Sequence, residues 1–403
     1  MNHRQHKSAN LLGRRKMGSR NTECALAFLI VSSLTCLCLS STLPSEFSII
    51  DQTLHDSEER TLELFQRWKE SHNKEYSTDE ETQRRLEIFK RNLKYVTERN
   101  LNKVREGEKG HFVGLNKFAD MTNEEFKKIY MSKMKRPANR NWSKGNPVDK
   151  KVGASCDPPS SLDWRDYGVV TGVKDQGSCG SCWAFSTTGA IEGINALDTG
   201  KLISLSEQEL VDCDTTDDGC DGGYMDYAFE WIINNGGIDS EADYPYTSIN
   251  GVDGTCNITK EKNDKVVSIS GYVDVEESDS ALLCAVVQQP ISVGMDGSAL
   301  DFQFYTGGIY QGSCSDDPDD IDHAVLIVGY GSEDGEDYWI VKNSWGTEWG
   351  MEGYFYIRRN TDLPFGECAI NADASYPTQS SSSASNRKMM KHRMNRKFAV
   401  SIK

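Results

Sequence analysis

Cations are nearly missing from the larger part of this 403-residue chain: residues 152–378 hold 9 Lys+Arg against 41 Asp+Glu. A body so poor in Lys and Arg cannot neutralise a phosphate backbone, which argues against nucleic-acid binding. It suits an acidic compartment, where many carboxylates are neutral and self-repulsion falls. Long apolar runs are scarce too. Residues 24–39 are about as long as a signal-peptide core and short for a membrane span. No later stretch is apolar enough to cross a bilayer, so the mature protein is expected to be soluble. There is no internal repeat. Metal-ligand patterns are equally thin. Cys179-Gly180-Ser181-Cys182 has the C-x-x-C spacing of redox and zinc sites, but lacks a βαβ context for the first and a second ligand pair for the second. No metal and no cofactor are expected.

What is present divides the chain into four. Residues 1–42 read as a signal-peptide region, with Arg4, Lys7, Arg14, Arg15, Lys16 and Arg20 ahead of the apolar run, and an uncleaved signal anchor as the alternative. Residues 51–151 are helical in pattern and mildly basic, with 23 Lys+Arg against 18 Asp+Glu. There Glu81, Arg85, Phe89, Asn92, Val96 and Asn100 fall on one stripe of a single helix. Thr122 and Glu125 form a capping box that opens a helix running to about Ser132. Residues 133–160 lose periodicity and read as a linker. Residues 152–378 form the main domain, helical in its first half and rich in short strands from about Gly251. Residues 379–403 are Ser-rich, then basic, and read as a disordered tail.

The main domain centres on Gln176-Gly177-Ser178-Cys179-Gly180-Ser181-Cys182-Trp183-Ala184-Phe185. Apolar residues recur at helical spacing after Cys182 and stop at Thr199-Gly200, so a loop feeds a buried helix with Cys182 in its first turn. There the helix dipole favours thiolate over thiol. Further on, Ser206 with Glu209 makes a second capping box, and a third helix spans about 224–234. Two apolar runs flank a turn at Gly331-Ser332-Glu333-Asp334-Gly335, which is a hairpin. The midpoint of 323 and 343 is 333, so a regular register makes His323 and Asn343 cross-strand neighbours. Each of these residues alone has a duller reading: a structural cysteine, a strand-edge histidine, a strand-ending Asn343 or a loop Gln176.

Together they resemble the papain family of cysteine peptidases. The string 175–185 is similar to the family's active-site segment, and His323 lies 141 residues beyond Cys182 with Asn343 161 beyond it. The 81–100 stripe and Gly114-x-Asn116-x-Phe118-x-Asp120 resemble the two motifs of the family's propeptides, and the likeness spans about residues 51–378. It implies an α+β, papain-like two-lobed fold: a helical lobe, a β-barrel-like lobe and a cleft between them, preceded by a helical inhibitory prodomain. It implies a cysteine endopeptidase made as an inactive precursor, with Cys182 as nucleophile, His323 as acid and base, Asn343 orienting it, and Gln176 with the Cys182 N–H holding the oxyanion. Trp345 resembles the tryptophan that shields the Asn–His bond. The linker would cross the cleft in the non-productive direction and be cut between about 150 and 155. The charge contrast between prodomain and body makes acid the expected trigger. Tyr224, Met225, Gly294 and Ile321 would line the P2 pocket, with Asp373 at its floor. The lining is apolar, Gly294 leaves it roomy, and Asp373 either binds a basic P2 side chain or points to solvent. Gly222-Gly223 would offer backbone to an extended substrate.

Of the 12 cysteines, Cys24, Cys36 and Cys38 go with the signal peptide and Cys182 stays free, leaving eight. The resemblance pairs Cys179 with Cys220, Cys213 with Cys256 and Cys314 with Cys368. Cys156 and Cys284 remain for a fourth bond. Asn257-Ile258-Thr259 and Asn141-Trp142-Ser143 are glycosylation sequons, the first the better placed. The implied partners are polypeptide substrates, the chain's own prodomain and cystatin-like inhibitors, and the implied route is secretory, to a vacuole- or lysosome-like compartment or outside the cell. The tail has neither the Pro-rich linker nor the Cys-rich granulin-like module of some plant relatives. The rival readings are a catalytically silent papain-fold protein that binds or stores, and a thioredoxin-like oxidoreductase.

Overall fold

The computed structural model describes residues 57–379 apart from 108, 133, 135–155 and 264. The signal-peptide, maturation-site, Asn141 and tail readings therefore lie outside the described residues. Two helices open the chain, α1 (Glu58–Ser71) and α2 (Asp79–Glu106), capped by Ser57 and Thr78, and α2 ends on Gly107 at φ 64. The stripe on α2 faces inward. Phe89 and Val96 are fully buried. Asn92 Nδ2 donates to the carbonyls of Ala119 and Met121, and Asn100 exchanges hydrogen bonds with Val113. Strand β1 (Phe112–Val113) and helix α3 (Asn123–Tyr130) follow, α3 opening on the complete Thr122–Glu125 capping box.

The main domain begins with β2 (Leu162–Asp163), then α4 (Cys182–Thr199), α5 (Glu207–Cys213), α6 (Met225–Asn235) and α7 (Ile258–Asn263). After them come β3 (Gly271–Asp274), α8 (Asp279–Val286), β4 (Ile291–Met295), α9 (Leu300–Gln303), β5 (Tyr305–Gly307) and β6 (Ile309–Tyr310), then β7 (His323–Glu333), β8 (Glu336–Lys342), β9 (Tyr354–Arg358) and β10 (Asp373–Thr378). Ser206 caps α5 as expected, but the box is half made. The Glu209 carboxylate turns to the N–H of Asp239, and the Ser206 N–H goes to the Asp239 carbonyl instead. The large sheet runs β3-β10-β4-β7-β8-β9-β6, with β2 beside β7. It stays open: among the described residues no ladder joins β3 to β6.

Strand β7 is the wall between two cores. Side chains alternate across a strand. Val325 and Ile327 face the core under the sheet, while Ala324, Leu326 and Val328 join the core of α4, α5 and α6. Helix α4 lies so close to β7 that a Cβ on Gly189 would meet Leu326 at 2.8 Å. The hairpin register differs from the sequence expectation. The chain reverses at Asp334-Gly335 and not at Glu333, so Glu333 opposes Glu336; a bulge between Ile327 and Gly329 then takes back one position, so that Leu326 opposes Lys342. Asn343 therefore follows the end of β8 and lies diagonal to His323. The apolar runs do not report at which residue of the 331–335 cluster the chain reverses, nor that a bulge adds an unpaired residue.

Candidate active site

The loop before α4 is held by close backbone packing. Gly177 has φ +62, and a Cβ there would fall 2.1 Å from the Ile249 carbonyl, so only glycine fits. The loop delivers Cys182 to the first turn of α4. The Cys182 Sγ accepts the Ala324 N–H at 3.4 Å and lies 3.2 Å from the Ser132 hydroxyl. The thiol is thus beside the residue that follows His323, in the core that α4 shares with this face of β7.

His323 opens β7 and is fully buried. Its Nε2 donates to Asn343 Oδ1 at 2.8 Å, and the Ser344 N–H donates to the same oxygen, which fixes the amide's orientation. Trp345 stacks on the imidazole, with ring centroids 4.6 Å apart and planes at 26°. Nδ1 has no hydrogen-bond partner among the described residues. The offset register does not separate His323 from Asn343, because a diagonal pair is still within side-chain reach.

The thiolate that the helix dipole favours at Cys182 is not what this state holds. Burial pushes the Cys182 thiol up to about 11, and burial pushes the His323 imidazole down to about 4. Desolvation disfavours the charged form of each group, and both are covered. Gln176 is fully buried. The Ser344 hydroxyl donates to its Oε1 at 2.7 Å, and its Nε2 donates to the Cys179 carbonyl at 2.9 Å. One amide hydrogen remains for another acceptor.

The expected pocket is occupied by Met134. This side chain packs between the cluster that contains Met225 and the cluster of Ile321, Ala369 and Ala372. Asp373 is 1% exposed, which excludes the solvent-facing reading, and it pairs in register with Gly294. Gly294 does not leave the pocket roomy. A Cβ there would meet Ile321 at 2.9 Å and Asp373 at 3.2 Å, so neighbours have taken the space. Tyr224 caps α6 beside Met225, and Gly222-Gly223 runs just before it over the Trp183 ring. Trp345 belongs to the core under the sheet and not to the two clusters that Met134 packs against. Sequence reasoning missed Ser132, Met134, Ser344, Ala369 and Ala372. Ser344 had a signal, its place next to Asn343; the others are brought in by long-range packing.

Residues 158–378 match the papain family cysteine protease domain, and residues 65–126 match the cathepsin propeptide inhibitor domain. The chain belongs to the papain family. Vignain of Ricinus communis is 50% identical over 334 residues, covering 81% of this chain and 88% of that one. Cysteine protease XCP2 of Arabidopsis thaliana is 46% identical over 362 residues, covering 88% and 97%. Among solved structures, the recombinant stem bromelain precursor superposes with TM-score 0.71 at 37% identity, covering 80% of this chain and 99% of that one. Procathepsin L 3 from Tenebrio molitor larval midgut gives 0.69 at 41%, covering 79% and 99%. The protein is a cysteine protease precursor with an inhibitor-type propeptide.

In this papain-family precursor the propeptide docks by shape and by charge. Phe118, Phe126 and Tyr130 set their rings edge-on to Trp345 at 5.7, 5.3 and 6.3 Å. Strand β1 adds to β5, and Lys117 pairs with Asp175 at 2.6 Å. The chain then enters the cleft, where the Ser132 N–H donates to the Asp322 carbonyl. All four expected disulfides are present, including Cys156–Cys284, and Cys182 is the free cysteine among the described residues.

Proposed function

We propose that this precursor matures into an endopeptidase that cleaves peptide bonds through a thioester on Cys182. The observation that carries the reading is the meeting of the α4 thiol with the start of β7, where His323 is clamped to Asn343 and Ser132 of the pro-segment lies on the sulfur. Once that cover leaves, the helix N-terminus and a charged imidazole favour the thiolate. The Cys182 sulfur attacks the scissile carbonyl. The Gln176 amide and the Cys182 N–H hold the oxyanion; loss of one such donor costs ~10²–10³ in rate. His323 gives its proton to the leaving amine, then takes one from the water that splits the thioester. Asn343 keeps the ring oriented, and Trp345 keeps water from that bond.

The pocket filled by Met134 takes a hydrophobic P2 side chain, and Asp373 adds tolerance of a basic one. Comparing Phe-Arg, Leu-Arg and Arg-Arg substrates tests this, and Arg-Arg cleavage unchanged in Asp373→Ala removes the basic-P2 part. Acid drives maturation; faster processing at pH 7.5 than at pH 4.5 would sink that part. Cystatin-like proteins are the fitting external inhibitors. The route is secretory, to a vacuole- or lysosome-like compartment or outside the cell, and the exposed Asn257 carries a glycan. The decisive experiment is titration of the acid-matured protein with E-64. Stoichiometric labelling of Cys182 with loss of peptidase activity is expected. A chain that neither labels nor cleaves is instead a silent binding or storage protein.

A further inference from the structure

We propose that Asp214 and Asp217, two acids outside the catalytic set, position the Gly222-Gly223-Tyr224 edge, and that they do so only while they share a proton. The inference rests on the reading above that this edge receives substrate backbone. Asp214 ends α5 and is 5% exposed. Its Oδ1 accepts the Thr216 N–H at 2.8 Å and the Thr216 hydroxyl at 2.5 Å. Asp217 Oδ1 accepts the Tyr224 N–H at 2.8 Å. That leaves one oxygen on each acid, Oδ2 in both cases, buried and without another donor. The two carboxyls act on each other, and a proton on one of these open oxygens would let it donate to the other acid. Two carboxylates have no hydrogen to place between them, so one must be the acid form. Asp214 already takes two donors on Oδ1 and suits the charge. Asp217 suits the proton, with Oδ2–H donating to Asp214.

This protonated Asp217 supports the edge directly. Its carboxyl carbon would lie 2.9 Å from a Cβ on Gly223, and the Trp183 ring would lie 2.5 Å away. Gly223 is thus packed against both the carboxyl of Asp217 and the indole of the residue next to Cys182. The Asp218 N–H closes the same turn onto the Gly222 carbonyl at 2.9 Å. The groups facing the pair are the Asp218 carboxylate and the Tyr227 hydroxyl, and among the described residues no Lys or Arg forms an ion pair with either acid. Burial, then the charge on Asp214, holds the Asp217 carboxyl well above the usual carboxylate range. When pH rises far enough, that proton leaves to solvent. Two buried carboxylates then repel, and the Tyr224 N–H and Gly223 lose their fixed neighbour.

The test is the pH dependence of KM, kept apart from kcat, for acid-matured enzyme on a Phe-Arg amide. Concentrations are set by E-64 titration, so inactive molecules do not count. In the parent, KM is expected to rise about three- to tenfold between pH 6 and pH 9, the effect of weakening one or two backbone hydrogen bonds. Asp217→Asn donates to Asp214 and accepts from Tyr224 without titrating, so its KM should stay level across that range. Asp217→Ala should have a raised KM throughout. A parental KM that stays level, or an Asp217→Asn profile that rises like the parent's, overturns the inference. Failure of the parent to take up E-64 strikes at the peptidase reading instead.

Discussion

Uncovering Cys182 should raise its reactivity by about two orders of magnitude before any substrate is present. In the precursor the thiol is fully buried, and burial pushes it from an ordinary 9.0 up to about 11. At pH 7 the thiolate fraction is then about 10⁻⁴ instead of about 10⁻². Alkylation follows the thiolate, so a hundredfold slower reaction comes from ionisation alone. Steric cover adds to this in the precursor, and the helix dipole with a charged His323 acts the other way after maturation. About a hundredfold is therefore the minimum. The assay is the iodoacetamide rate constant at Cys182, read by mass spectrometry at pH 7 on precursor and acid-matured protein. The Ser132 hydroxyl favours the thiolate, so Ser132→Ala should not speed labelling. That variant separates burial from hydrogen bonding. Equal rates in precursor and matured protein would show that the pro-segment does not control this sulfur.

Other consequences follow from the same contacts. Asn92→Ala orphans two carbonyls under α2 and should cost about 2–4 kcal/mol of propeptide stability, seen as weaker inhibition by the propeptide in trans. His111 is held down to about 4 by burial, with Asp301 opposing and Arg99 reinforcing. A depressed histidine contributes stability above its ordinary 6.5 that is lost as pH falls toward 4. His111→Phe should therefore move the pH midpoint of self-processing downward; an unchanged midpoint would clear His111 of any part in the trigger. The Cys156–Cys284 bond closes a separation of 128 residues, so Cys284→Ser should lower stability by about 2–4 kcal/mol, read as a lower Tm.

Features carried by neighbouring residues were legible in the chain alone. Cys182 at a helix mouth, the Thr122–Glu125 cap and the α2 stripe all depend on spacing, and spacing survives folding because the helix repeat is rigid. The resemblance added the partners of Cys182 and three cysteine pairs. Other things were set by contacts between distant segments. A turn at Asp334-Gly335, later in the chain than the midpoint at Glu333, moved Asn343 off the expected cross-strand position. Ile321 and Asp373 closed the room that Gly294 seemed to leave. Met134 filled the pocket, and burial under Ser132 left the Cys182–His323 pair without its charges. Sequence by itself determined which chemical groups this protein has and which local elements carry them. Only the tertiary structure decided which groups are buried against which, because desolvation and packing depend on every segment that arrives at a site and not on the residues beside it.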